Sequence, residues 1–194
     1  SIRLITVNPT PQASFTKAHG CLPNAGIQFT STSTVSGGNV NALNHLWNFG
    51  DPLAGPGNPN TSNAINPLHV YHSLNTFDVQ LQTTSSKGCV HDTIIKLYPD
   101  IDIFPQPDAN FKIDSLKLLC AGSPVYFVNQ STGGGQAITQ YNWNFGDAAT
   151  SSALNPNHIY STHGNYPVSL WLQNAKGCIS DAAVINTIVH SIPK

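Results

Sequence analysis

The chain has 194 residues, a net charge of −1 and only 9% charged residues, against ~25% in an average soluble protein. So little charge excludes the basic face that binds nucleic acid or an anionic membrane. The 40% hydrophobic content excludes disorder, and no apolar run is long enough to cross a bilayer as a helix. A soluble chain without direct membrane insertion is expected, with any export signal removed or lying outside this stretch.

Residues 1–8 begin with an apolar, strand-like stretch, Ser1 to Val7. It resembles Thr93 to Leu97 and Ala183 to Val189 further on. Two readings stand: the first strand of the domain that follows, or the last strand of a preceding domain in a longer array. The second is favoured, because Pro193 falls where another proline linker would begin. A detached strand can also complete a neighbouring molecule's sheet and so build a filament.

Two domains are expected next, residues 9–104 and 105–194. Pro9-Thr10-Pro11 and Pro105-Gln106-Pro107 open them with stiff, extended segments. Trp47-Asn48-Phe49-Gly50-Asp51 recurs 96 residues later as Trp143-Asn144-Phe145-Gly146-Asp147. Pro11 to Phe15 is answered by Pro107 to Phe111. Asn66-Pro67-Leu68-His69-Val70-Tyr71 is answered by Asn155-Pro156-Asn157-His158-Ile159-Tyr160. Lys87-Gly88-Cys89 is answered by Lys176-Gly177-Cys178. The offset shortens after the Asp because the first copy carries extra residues between Pro52 and Ile65, as surface loops allow. A period this long marks a duplicated domain, not a solenoid.

Within each copy, short strands alternate with turn signals and no helical period is sustained. Tyr141, Trp143 and Phe145 alternate with Asn142 and Asn144; Tyr166, Val168, Leu170 and Leu172 alternate likewise. One face of each strand therefore meets a core and the other faces water. Gly37-Gly38 and Gly133-Gly134-Gly135 mark loops. Such spacing predicts an all-β sandwich, with a closed barrel as the alternative.

The four cysteines fall two per copy: Cys21 and Cys120 before a strand, Cys89 and Cys178 after a Lys-Gly turn. Three connectivities are open. The simplest, Cys21–Cys89 with Cys120–Cys178, keeps each domain self-contained, and each bridge would add about 4 kcal/mol by loop closure. Disulfides imply an oxidising, extracellular setting. A zinc site is the rival, but clustered Cys-x-x-Cys spacing is absent.

The repeated block, Trp-Asn-Phe-Gly-Asp, then Asn-Pro-x-His-x-Tyr, then Tyr166-Pro167-Val168-Ser169-Leu170 and Asn174-Ala175-Lys176-Gly177, resembles the PKD domain. The resemblance covers nearly the whole chain in two copies. It implies two tandem immunoglobulin-like (PKD) β-sandwiches joined by a short Pro-containing linker. The paired cysteines are similar to those in PKD repeats of large Bacteroidetes surface proteins, including gliding-motility adhesins. That likeness implies spacing, adhesion, or contact with a glycan or extracellular protein, and no catalysis.

The motif residues have physical readings of their own. Trp47 and Trp143 are expected as core plugs, beside Phe49 and Phe145. Asp51 and Asp147 are expected to accept backbone N–H bonds and hold a turn. Calcium is the alternative there, weakened by scarce neighbouring acids and by the Asp51-Pro52 departure from the family's short Gly-Asp-Gly-type turn. His69 and His158, two residues before Tyr71 and Tyr160, are expected to bond the adjacent turn, since no nucleophile motif accompanies them. The unrepeated His19, His45, His72, His91, His163 and His190 are read as surface residues. Trp171, whose counterpart is Gln82, is a candidate contact on the face away from the core. Thr93 and Ser115, after Asp92 and Asp114, match the Bacteroidetes O-glycan acceptor pattern. No hydrolase, zincin, P-loop or dinucleotide motif occurs, so neither an enzyme nor a cofactor is expected.

Three functions follow: a non-catalytic stalk or adhesive module of a secreted cell-surface protein, an accessory binding module of a secreted hydrolase, or a filament subunit that shares strands. The expected partners are neighbouring domains of the same array or neighbouring copies of the chain.

Overall fold

The computed structural model describes residues 7–37, 42–99, 102–114 and 119–191. Ser1 to Thr6 and Ser115 lie outside the described residues. The chain divides into two compact units, Ser1–Phe104 and Pro105–Lys194, and each element assigned among the described residues is a strand.

The first unit carries β1 (Phe15–Lys17), β2 (Gly20–Cys21), β3 (Ala25–Ser31), β4 (Asn44–Asn48), β5 (Thr61–Ser62), β6 (Leu68–Tyr71), β7 (Phe77–Thr84), β8 (Val90–Leu97) and β9 (Ile103–Phe104). One sheet runs β1-β3-β6, the other β5-β4-β7-β8, and β2 pairs with β9 in parallel. Period-2 alternation decides what lies between the sheets. Ala25, Ile27 and Phe29 of β3 and Phe77, Val79 and Leu81 of β7 point inward, while their neighbours face out. They join Phe15, Trp47, Phe49, Tyr71 and Leu97 in one buried cluster. Side chains of this size each contribute about 1.5–3 kcal/mol on full burial, which is what holds two sheets face to face.

The second unit repeats the plan with β10 (Phe111–Ile113), β11 (Pro124–Asn129), β12 (Ile138–Asn144), β13 (Thr150–Ser151), β14 (Asn157–Ile159), β15 (Gly164–Asn174) and β16 (Ala183–Val189). Its sheets run β10-β11-β14 and β13-β12-β15-β16. Phe111, Val125 and Phe127 from one sheet meet Trp143, Val168, Leu170, Leu172 and Val189 from the other. Two separate sheets around one core make each unit a sandwich, not a closed barrel. The fold is therefore all-β, one sandwich per unit.

The turn after the Trp strand requires glycine. Gly50 has φ +63° and Gly146 φ +84°. A Cβ at Gly50 would lie 2.5 Å from the Asp78 carbonyl oxygen, and one at Gly146 would lie 2.9 Å from the Pro167 ring.

The expected disulfide pairing is not realised. Cys89 and Cys120 are free thiols, whereas Cys21 and Cys178 are disulfide-bonded. The reason lies in strand direction. Cys21 precedes β3, and Cys89 lies in the β7–β8 turn. That turn sits beyond the far end of β3, where Ser31 bonds His45 and His45 pairs with Thr83. In the second unit Cys120 bridges to His190 ahead of β11. Cys178 belongs to a turn whose Asn174 bonds Gly133, past the end of β11. A strand the length of β3 spans about 20 Å, whereas a disulfide needs Cα atoms within ~7 Å. The two cysteines of a unit stand at opposite poles.

Candidate functional site

The duplicated residues assemble into one constellation per unit. The Trp strand delivers Trp47 and Phe49 inward, the glycine turn places Asp51, and β6 brings His69 and Tyr71 beneath it. The Trp47 indole donates to the Ala64 carbonyl at 2.8 Å, and that of Trp143 to Ala153 at 2.9 Å. The Tyr71 hydroxyl donates to the Phe49 carbonyl at 2.8 Å, and that of Tyr160 to Phe145 at 2.9 Å. Burial pushes both phenols well above the ordinary tyrosine range, with the nearby Asp51 and Asp147 charges adding to the rise.

Asp51 and His69 pair directly. His69 Nε2 lies 3.0 Å from Asp51 Oδ2, and the Leu53 amide donates to Asp51 Oδ1 at 2.9 Å. A carboxylate only accepts, so Nε2 carries the proton. Burial holds the His69 pKa below 6.5, outweighing the Asp51 bond and charge that raise it. In the second unit, His158 Nε2 lies 2.7 Å from Asp147 Oδ2, and the Ala149 amide donates to Asp147 Oδ1 at 3.1 Å. Desolvation raises the Asp147 carboxyl, but the His158 bond and nearby amides lower it by more, so it stays below its ordinary 3.8.

Such a His–Asp pair invites a catalytic reading, and its surroundings argue against one. A general base needs a ring nitrogen open to a nucleophile or water. In the first unit Nε2 is committed to Asp51, and the His69 side chain is only 1% exposed. Phe49 stacks on the His69 ring at 4.3 Å, and Tyr71 meets it edge-on at 4.7 Å. Phe145 stacks on His158 in the same way at 4.4 Å. Both Asp51 oxygens already accept bonds, and the described residues hold no cluster of three or more metal-ligating side chains. The arrangement pins the Gly-Asp turn to the β6 or β14 strand.

Sequence reasoning placed His69 and His158 against the turn without naming Asp as the acceptor. The shared signal was available: Asp and His recur together in both copies. His45 is a correction. Its lack of a repeat suggested the surface, yet it is buried, donating through Nδ1 to the Leu43 carbonyl and accepting at Nε2 from Ser31. Burial lowers its pKa, against the raising bond to Leu43. His91 also does structural work, accepting the Ala13 amide at 3.0 Å.

Trp171 is 38% exposed between buried Leu170 and Leu172. Cross-strand register sets it opposite Asn142, with Ser169 opposite Asn144. These residues, with Thr150 and Ser151, line an open cleft of about 560 Å³ on the outer face of the second unit. The Asn142 side-chain amide nitrogen there has no bonding partner. In the first unit the same register pairs Gln82 with Leu46. Thr93 sits half-buried within β8, opposite Leu81.

Comparison with known proteins accords with this fold. Residues 105–189 match the family model described as "PKD domain". Collagenase ColA of Bacillus cereus is 42% identical over 40 residues, covering 21% of this chain and 4% of that enzyme. Microbial collagenase of Vibrio alginolyticus is 32% identical over 130 residues, 64% of this chain and 15% of its own length. The chain thus spans a small fraction of the curated relatives it matches. The crystal structure of the PKD1 domain of Vibrio anguillarum Epp aligns with a TM-score of 0.40 at 29% identity, covering 45% of this chain and 96% of that domain.

Proposed function

We propose that this chain is a non-catalytic spacer module of a secreted, cell-surface or extracellular protein, holding other parts at a distance. The observation that carries the reading is the saturation of the duplicated constellation. Its two buried or half-buried His–Asp pairs are consumed in pinning turns, and its aromatic groups fill the cores. What the sequence duplicates is therefore what keeps each sandwich folded. Disulfide bonding at Cys21 and Cys178 fits an oxidising compartment. A chain matching 4–15% of the length of collagenases fits an accessory part of a larger protein.

A second reading is favoured by the Trp171 cleft, where the first unit has Gln82 in place of the tryptophan. A flat aromatic beside amides and hydroxyls suits a neutral glycan or an extended peptide. An adhesin role in the Bacteroidetes belongs with this reading. Strand sharing through Ser1 to Val7 would instead make a filament subunit.

One experiment separates them. The chain is incubated with insoluble polysaccharides and fibrous collagen, and the protein left in solution is measured. A spacer stays in solution. Depletion that Trp171→Ala abolishes would make the cleft a binding site and replace the spacer reading. Assembly lost on deleting residues 1–7 would favour the filament.

A further inference from the structure

Each unit carries one cysteine at each pole. The leading pole is where the chain enters: Asn8 lies beside Cys89, whose thiol points at the Asn8 carbonyl at 3.9 Å. In the second unit the Asp108–Thr132 bridge and the Asn174–Gly133 bond place Cys178 at the corresponding pole. The trailing pole is where the chain leaves. There Cys21 pairs with Phe104 through β2 and β9, and Cys120 bridges to His190 just after β16.

One trailing-pole sulfur, Cys21, and one leading-pole sulfur, Cys178, are disulfide-bonded. The remaining leading-pole sulfur, Cys89, and trailing-pole sulfur, Cys120, are free thiols, each half-buried. Neither free thiol has a partner within its own unit, because the poles are a strand's length apart. The leading pole of the first unit is also hollow. A cavity of about 210 Å³ lies against the Ser85–Lys87 turn next to Cys89, walled by Asn8, Pro9, Ser36 and Leu43.

We propose that Cys89 and Cys120 are inter-unit disulfide sites. Cys120 of one copy of this chain joins Cys89 of a second copy, trailing pole to leading pole. Two equivalent sulfurs, Cys21 and Cys178, already occupy the oxidised state at the same two kinds of pole. The contact uses different patches on its two sides, so it is heterologous and leaves each added copy with a free thiol for the next. This goes beyond the spacer reading and does not depend on it, since a binding module with these poles would link in the same way.

The chemistry balances with a disulfide oxidant, either low-molecular-weight or carried by an oxidoreductase. The Cys120 thiolate attacks the oxidant and releases one thiol, leaving a mixed disulfide. The Cys89 thiolate of the second copy then attacks the Cys120 sulfur and releases the other thiol. Two protein thiols lose two electrons and two protons, and the oxidant is reduced to two thiols.

The test uses the whole chain in oxidised glutathione, with non-reducing electrophoresis and mass mapping of disulfide peptides. Wild type is expected to form a ladder whose new cross-link joins Cys89 to Cys120. Cys89→Ser alone and Cys120→Ser alone remain monomers. Their equimolar mixture gives one dimer, at least about tenfold above either variant alone, the preference given by ~1.4 kcal/mol of docking specificity. Unchanged circular dichroism and an intact disulfide at Cys21 and Cys178 show that the variants are folded. The proposal is overturned if single variants dimerise as well as the mixture, or if wild type stays monomeric. Equal amounts of Cys89–Cys89, Cys120–Cys120 and Cys89–Cys120 peptides would also overturn it.

Discussion

Replacing Asp51 by Ala should cost the first unit far more than Asp147→Ala costs the second, although the two residues hold the same place. The side chains of His69 and Asp51 are each 1% exposed, whereas those of His158 and Asp147 are 17% and 27% exposed. Removing the Asp51 carboxylate strands a buried imidazole N–H that water cannot reach. The lost bond and the unpaired donor together are worth about 3 kcal/mol. At Asp147 water replaces the carboxylate, and the loss is about 1 kcal/mol.

Hydrogen exchange in the intact chain reads both numbers, since amides that open only with the whole unit report its stability. Asp51→Ala should speed exchange in β4 and β7 roughly a hundredfold, and Asp147→Ala should speed β12 and β15 about fivefold. The double substitution Asp51→Ala, His69→Leu should recover part of the loss, because no buried donor remains. Equal effects in the two units, or no recovery in the double variant, would refute the assignment of the cost to a stranded buried donor.

Acid should act on the units in different windows. Folding lowers the pKa of His69 and His45 below 6.5, mainly by burial. The unfolded chain therefore binds more protons below 6.5, so first-unit stability is full above that pH and falls as pH drops beneath it. Asp147 has a lowered carboxyl, so its contribution is present above 3.8 and is lost as pH falls through its folded value. Urea midpoints followed by unit-specific exchange between pH 7.5 and 3 check both. Gly50→Ala should destabilise the first unit by at least about 2 kcal/mol in urea melts, since positive φ and an intruding Cβ add. Ala148, at φ 72°, is a non-glycine residue in left-handed backbone. Ala148→Gly should therefore raise second-unit stability by about 0.5–1 kcal/mol in the same melts.

The sandwich was legible because strand periodicity is local. Val168, Leu170 and Leu172 alternate with polar or exposed neighbours whatever surrounds them, and the duplicated Trp-Asn-Phe-Gly-Asp block fixes where the second unit begins to repeat the first. The cysteines were misread because pairing depends on which end of a strand each one reaches. Cys21 and Cys89 look like natural partners in sequence, yet antiparallel order carries them to opposite ends of β3. His45 was misread for a different reason. Lack of a repeat says nothing about burial, and only the Ser31 and Leu43 contacts reveal that its ring is part of the structure. The Asp–His pairing stood between these cases, with its residues visible but its bond dependent on β6 lying under the turn.

The longer loop of the first unit explains why one pair is buried and the other is not. Asp51 and His69 are 18 residues apart, Asp147 and His158 only 11. The added residues do specific work. Asn58 donates to the Val70 carbonyl and accepts the Val70 amide, and Asn60 accepts the Asp51 amide. The loop is thus tied to both ends of the pair and closes over it. Replacing residues 52–65 by the sequence of residues 148–154 removes that cover while keeping Asp51, His69 and an alanine carbonyl for Trp47. Burial, which lowers the His69 pKa, then shrinks, and the Asp51 bond and charge, which raise it, remain. The His69 midpoint should move up, measured from its ring proton shifts against pH, and the first unit should lose less stability between pH 6.5 and 5. If the midpoint stays where it was, the desolvation comes from the aromatic stack of Phe49 and Tyr71 and not from the loop.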